Sequence, residues 1–292
     1  MTLQRFSVAE HAPAKINLAL HVVGRRDDGY HLLESLVVFT AFGDRIVVSP
    51  AEEDSFVVRG HFAAHVPLDD GNLVLRARDA LRAAFPEQSA GPVAIELEKH
   101  LPAASGIGGG SSDAAATLRA LDRFWNLGAG EARLQALGLP LGADLPMCVA
   151  ARPLIAAGIG EHTQMLDAFP PLHIVLVNPG VAVGTPDVFR ALTQRDNPPL
   201  PPFDTADALQ DWLHRTRNDL EQPARSVAAE IGETLDALKD HGAGFARMSG
   251  SGATCFGLFT DAAAAEAAAA GIAEAWPYWF VAATQTLHKD RD

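Results

Sequence analysis

Leu101 to Leu121 reads LPAASGIGGGSSDAAATLRAL. Gly106, Gly108, Gly109 and Gly110 crowd together and run at once into an alanine-rich amphipathic pattern. Glycine adopts positive φ at little cost and lets another group approach the main chain. Ser111, Ser112 and Asp113 are residue types favoured at helix starts. Upstream, VAIELEKHLP alternates as a strand does. The local geometry is therefore strand, bare loop, helix from about Ser112 to Trp125. A helix start offers free N–H groups and the positive end of the helix dipole, which together suit phosphate. The bland reading is a glycine turn with no ligand, but so many glycines before a serine-rich helix start speak against it.

Three phosphate-loop patterns compete. A Walker loop ends in Gly-Lys-Ser/Thr, and no lysine is present here. A dinucleotide fingerprint needs GxGxxG, but Ser111 stands where the third glycine belongs, and no acidic residue follows on a later strand. The third pattern, P-x-x-x-G-[IL]-G-G-G-S-S, is matched from Pro102 to Ser112. It resembles the phosphate loop of the GHMP kinases, the superfamily of galactokinase, homoserine kinase and mevalonate kinase. The loop departs from the commoner form at Ala104, in place of glycine, and at Ile107, in place of leucine.

Two further segments resemble that superfamily: APAKINLALHVVGRRDDGYHLLESL, from Ala12 to Leu36, and MSGSGATCFGLF, from Met248 to Phe259. PAKINL, GRRDDGYH, GGGSSDAAA and GADLP occur in that order. This set is similar to the branch that phosphorylates a cytidine diphosphate-linked methylerythritol at its 2-hydroxyl, on the non-mevalonate route to isoprenoid precursors. The alternative within the superfamily is another small-alcohol kinase, of homoserine or mevalonate type. GYH together with GADLP argues against that alternative.

The resemblance implies an α+β, two-domain GHMP kinase fold with the active site in the cleft between the domains. Residues 1–160 would form the N-terminal, ATP-binding domain and residues 161–292 the C-terminal domain. The implied cofactors are ATP and Mg²⁺. The phosphates would lie on Pro102, Ala103, Ala104, Ser105, Gly106, Ile107, Gly108, Gly109, Gly110, Ser111 and Ser112. Ser111 or Ser112 would help hold Mg²⁺, which keeps several waters and needs few protein ligands.

Phosphoryl transfer to a hydroxyl also needs positive charge near the γ-phosphate and a group to take the proton. Asp144, among Leu141, Leu145, Pro146 and Met147, is either a helix cap or the base. The family's catalytic aspartate occupies this motif. Lys15 is the lone charge between Ala12 and Leu20. It is either an edge-strand lysine facing water or a buried, paired one. The resemblance implies a catalytic pair with Asp144. Asn17 shares the Lys15 face on a strand, and is either a substrate hydrogen-bonder or an edge asparagine.

Tyr30 and His31 read first as turn and strand residues. The resemblance implies that the substrate's cytosine stacks on Tyr30 and hydrogen-bonds His31. It places Phe189 across the ring and Thr185 within hydrogen-bonding reach. Phe189 reads equally well as helix core. Ser249 to Gly252 is either a turn packed behind the phosphates or a plain hairpin turn. RNDLE, Arg217 to Glu221, reads as structural.

Composition narrows the partners. With 23 basic and 36 acidic side chains the net charge is −13, which repels a nucleic-acid backbone. Cys148 and Cys255 form no ligand cluster and read as buried free thiols in a reducing compartment. The start of the chain shows no apolar h-region and no apolar run reaches bilayer length. The expectation is a cytoplasmic protein with no membrane partner. RDNPPLPPF, Arg195 to Phe203, reads as an exposed loop.

Overall fold

A computed structural model describes residues 6–89, 91–203 and 209–287. In chain order the elements are β1 (Val8–Arg25), β2 (His31–Pro50), β3 (Ser55–Arg59), α1 (Leu73–Ala84), β4 (Val93–Glu98), α2 (Gly109–Phe124), α3 (Glu131–Gly138), α4 (Leu145–Ala150), β5 (Leu154–Gly158), β6 (His162–Met165), β7 (His173–Asn178), α5 (Thr185–Ala191), α6 (Leu209–His214), α7 (Glu221–Val227), α8 (Glu230–Asp240), β8 (Phe245–Met248), β9 (Cys255–Phe259), α9 (Ala262–Ala275) and β10 (Phe280–Gln285). Strands and helices are mixed without regular βαβ repetition, which is the α+β class expected.

The chain divides into two compact units, and not at a single point. The first unit takes Met1–Ala14, Gly43–Ala103 and Gly108–Ala151; the second takes Lys15–Phe42, Ala104–Ile107 and Arg152–Asp292. The boundary expected at residue 160 therefore differs from the observed division. The reason lies in β1 and β2, which are 18 and 20 residues long and each serve both units. The phosphate loop is likewise shared, between Ile107 and Gly108.

In the first unit, the second half of β2 pairs antiparallel with β4, and β4 pairs parallel with β3. The alternation of β4 buries Val93, Ile95 and Leu97, the half-buried pattern that period-2 side chains produce. Helix α2 packs against α1, α3 and α4, with Ala114, Leu118 and Leu121 buried.

In the second unit, β7, β8, β9 and β10 form an antiparallel sheet in the order β10-β7-β9-β8. Ile231, Leu235 and Leu238 of α8 and Ala265, Ala268 and Ile272 of α9 share its core with Val175, Val177 and Cys255. The first half of β2 pairs with β5, and β5 with β6. The proline-rich segment is the largely exposed loop expected, and it is held down at two points. Asn197 donates main-chain and side-chain N–H to the Val22 carbonyl, and Leu200 N–H donates to Glu34. Among the described residues no helix is long and apolar enough to cross a membrane.

Candidate active site

The helix half of the phosphate loop belongs to the first unit. Gly108, at φ +66°, is the N-cap of α2, and no side chain caps the helix. Ser111, Ser112 and Asp113 therefore lie inside the helix instead of capping it. The first-turn N–H groups are left for an external acceptor, the arrangement that suits an anion. Ser112 is fully buried and its hydroxyl donates to the Pro13 carbonyl at 2.7 Å. Ser111 is half-buried, with its hydroxyl 4.0 Å from where a Cβ on Gly142 would sit. Gly142 opens GADLP, so that motif is folded against the start of α2. Arg119 of α2 fixes this by donating to the carbonyls of Cys148 and Val149 in α4.

Asp144 occupies the N-cap position of α4, yet its side chain makes no capping hydrogen bond. The cap explanation for an acid in this apolar run is thereby removed.

Beneath the same helix start lies a cluster of buried charges. Lys99 Nζ donates to Asp44 Oδ2 at 2.5 Å and to Asp113 Oδ2 at 2.6 Å. The side chains of Lys99, Asp44 and Asp113 are only 3%, 0% and 5% exposed. Asp44 Oδ1 also accepts from the main-chain N–H groups of His100 and Leu101. Asp113 Oδ1 is buried without a partner. Burial pushes the Asp113 carboxyl up to about 8; Lys99 pulls it back and Asp44 reinforces the rise. Burial alone would pull Lys99 down, but its two carboxylates outweigh this and hold it raised. A Cβ on Gly109 would meet Lys99 Nζ at 3.1 Å, so the ammonium lies directly under the loop.

The other half of the loop belongs to the second unit and is held by neutral groups. Gly106 has φ +76°. A Cβ there would lie 2.5 Å from the Ser249 carbonyl oxygen and 2.8 Å from Gly252 N. Ser249 Oγ donates to the Gly106 carbonyl and accepts the Asn17 N–H. Thr254 N–H donates to the Ser105 carbonyl, and Lys15 N–H to the Ile107 carbonyl. The turn between β8 and β9 thus packs on the glycine loop, which a plain hairpin turn would not do. The same contacts tie the loop to β1, where every residue from Ala12 to Val22 is buried. Lys15 is 6% exposed and Asn17 4%, so neither is an edge residue facing water. Asn17 Nδ2 donates to Ser35 Oγ at 2.7 Å, while its Oδ1 is buried without a partner.

In the second unit Phe189 and His31 come together. Their rings stack with centroids 4.6 Å apart and planes at 20°. The structure brings His31, not Tyr30, onto Phe189; Tyr30, which closes the turn by accepting the Arg26 N–H, is 61% exposed. His31 Nε2 is buried without a hydrogen-bond partner. Burial, then Arg195 and Arg25, lower the His31 pKa, so the imidazole is neutral at neutral pH. Thr185, at the start of α5, shares a 2.7 Å hydrogen bond with Ser251 of the turn.

Residues 72–152 match the GHMP kinases N terminal domain, and residues 203–277 match the GHMP kinases C terminal. A 4-diphosphocytidyl-2-C-methyl-D-erythritol kinase of Mesorhizobium japonicum is 55% identical over 285 residues, which is 97% of each chain. The chain belongs to the GHMP kinases, on the branch of the 4-diphosphocytidyl-2-C-methyl-D-erythritol kinases. A crystal structure of a 4-(cytidine 5'-diphospho)-2C-methyl-D-erythritol kinase is similar with a TM-score of 0.80 and 35% identity, covering 96% of this chain and all of that one. A homoserine kinase from Cytophaga hutchinsonii matches with a TM-score of 0.66 at 16% identity, covering 98% of this chain and 96% of the other. That second likeness shows the shared fold alone.

For a GHMP kinase the buried triad and the hydrogen bonds of the Ser249 hydroxyl to Gly106 and Asn17 are the parts that sequence reasoning missed. A signal for the triad was present. Lys99 continues the Val93, Ile95, Leu97 face of a strand, and Asp44 continues that of Ile46 and Val48. Period 2 alone placed both charges inside.

Proposed function

We propose that this chain transfers the γ-phosphoryl group of ATP to the 2-hydroxyl of 4-diphosphocytidyl-2-C-methyl-D-erythritol, with Mg²⁺ bound. The observation that carries the reading is the neutral His31 ring stacked on Phe189, with its Nε2 buried and unpartnered. Such a nitrogen is costly to leave without a partner, and a flat heterocycle with both donors and acceptors, such as cytosine, supplies one. Tyr30 adds a second aromatic face beside it.

The glycine loop fits a triphosphate. It combines positive-φ glycines, close main-chain approach at Gly106 and a 16-residue helix with no side-chain cap. Ser111 is the better placed of the two serines for Mg²⁺, because the Ser112 hydroxyl is already committed to Pro13. When bound, Mg²⁺ supplies neutralising charge to the phosphate oxygens. Lys15 supplies a fixed cation on β1, Asp144 takes or orients the proton of the attacking hydroxyl, and Asn17 offers its open Oδ1 to a substrate hydroxyl. Thr185 and Phe189 bound the substrate from α5. An ATP-dependent enzyme with two buried free thiols suits the reducing cytoplasm.

The test is a coupled ADP-release assay on small alcohols with and without a cytidine diphosphate handle. Turnover is expected only with the handle. Turnover of homoserine or mevalonate, and none of the cytidylylated alcohol, would overturn the substrate assignment. Lys15→Ala and Asp144→Ala are each expected to lower kcat by about a hundredfold or more; near-wild-type turnover in both sinks the assigned roles.

A further inference from the structure

Arg217 to Glu221 lies alongside β1. Leu20 N–H donates to the Arg217 carbonyl and Asp219 N–H to the Leu20 carbonyl, a parallel bridge centred on Leu20 and Asn218. Asp219 Oδ2 accepts the Val22 N–H at 2.7 Å. The segment leads directly into α7, which starts at Glu221.

Asn218 at its centre is 7% exposed, and its amide is fully used. Nδ2 donates to the carbonyls of Met248 at 2.8 Å and Gly250 at 2.9 Å. Oδ1 accepts the Leu220 N–H at 3.0 Å. The two carbonyls flank Ser249, and Glu221 adds a third tie to the turn by accepting the Met248 N–H. Ser249 is the residue that donates to Gly106 and accepts from Asn17. A Cβ on Gly250 would lie 2.7 Å from the Gly106 carbonyl oxygen, so the turn cannot shift without moving the loop. A buried amide with both donors on one turn imposes geometry, because each carbonyl is left unsatisfied if the turn moves.

We propose that Asn218 is a positioning residue of the nucleotide site: it fixes the Ser249 turn, and through Ser249 it sets the main chain of Gly106 against β1. It touches neither substrate. The proposal rests on the kinase reading, and ATP binding alone tests it, without the alcohol.

The experiment is calorimetric titration of Mg²⁺-ATP into wild type, Asn218→Ala, Asn218→Asp, Ser249→Ala and a control. The control is Ile272→Ala or Ile272→Val in the α9 core, chosen to match the fall in Tm. Asn218→Asp keeps the acceptor for Leu220 and loses both donors. The Kd for ATP is expected to rise about tenfold in both Asn218 variants and in Ser249→Ala, since small misplacement of a binding group has large effects. The control is expected to stay within twofold of wild type. Should Asn218→Ala not fold, Ser249→Ala carries the same relay with a smaller truncation. A Kd within twofold of wild type in Ser249→Ala or in a folded Asn218 variant overturns the proposal. So does an equal rise in the control. Intact ATP binding by wild type without turnover of the cytidylylated alcohol would overturn the substrate reading and leave this one standing.

Discussion

Residues 104–107 and residues 108–113 are adjacent in the chain, yet opposite chemistry holds them. The first stretch is fixed by neutral main-chain and hydroxyl hydrogen bonds to Ser249, Thr254 and Lys15 N–H. The second sits over Lys99, Asp44 and Asp113, a cluster of buried titratable groups out of reach of water. Neutral contacts specify shape and are indifferent to pH. Buried charges are sensitive to the loss of one partner and to protonation. The loop therefore has one anchor that fails by steric misfit and another that fails by charge imbalance.

Removing the cation should give the largest effect. Lys99→Met keeps the length of the side chain but leaves the buried Asp44 carboxylate without its cation. Breaking a buried pair in this way costs about 3–5 kcal/mol, and urea unfolding of the full chain reads it directly. A loss below about 1 kcal/mol would mean that Lys99 and Asp44 are not ionised as a pair.

The neutral anchor breaks next. Gly106→Ala places a Cβ 2.5 Å from the Ser249 carbonyl oxygen at φ +76°. Strain of this kind costs about 1–3 kcal/mol, and it displaces the loop main chain. We expect ATP affinity to fall more than stability would suggest, with no change in pH dependence. Wild-type affinity in Gly106→Ala would show that the close approach is incidental.

The two anchors also differ in how readable they are from sequence. Strand, glycine loop, helix and the order of motifs are visible because they are local patterns. The burial of Lys15 could be suspected from its apolar neighbours. The Lys99 cluster draws Asp44, Lys99 and Asp113 from three elements, and only its strand periodicity is a local sign. The Ser249 relay is less readable still. Its partners on the loop are main-chain atoms of Ser105 and Gly106, and every residue has those. Asn218 was hidden for the same reason, since its amide binds carbonyls with no identity of their own. The division into two units is not readable as a single boundary, because β1 and β2 run on through both units and strand length carries no mark of where one core ends.

The charged anchor can be probed more gently through pH. Asp113 titrates near 4 when unfolded and at about 8 when folded. The folded state thus binds the proton more tightly, so this group's contribution to stability falls as pH rises from 4 to 8. Asp113→Asn removes the titration while Lys99 keeps Asp44. Its urea midpoint should change less between pH 6 and pH 8 than that of wild type. Equal slopes in the two proteins would assign the pH dependence to other groups.

The smallest effect is expected on the neutral side, and its sign is the informative part. Ala104 has φ +49°, in the left-handed region, and its side chain is exposed. A non-glycine residue there is disfavoured by about 1–2 kcal/mol. Ala104→Gly relieves that strain but gives the unfolded chain about 0.5–1 kcal/mol more conformational entropy to lose. The two effects nearly cancel, and a net gain of about 0.5 kcal/mol in unfolding free energy is expected. No buried charge and no packed Cβ is involved, so the charged anchor should not respond: the pH dependence of stability stays that of wild type. A clear loss of stability in Ala104→Gly would show that the Ala104 methyl group makes a contact that outweighs the strain, and that this half of the loop is held by more than its main-chain bonds.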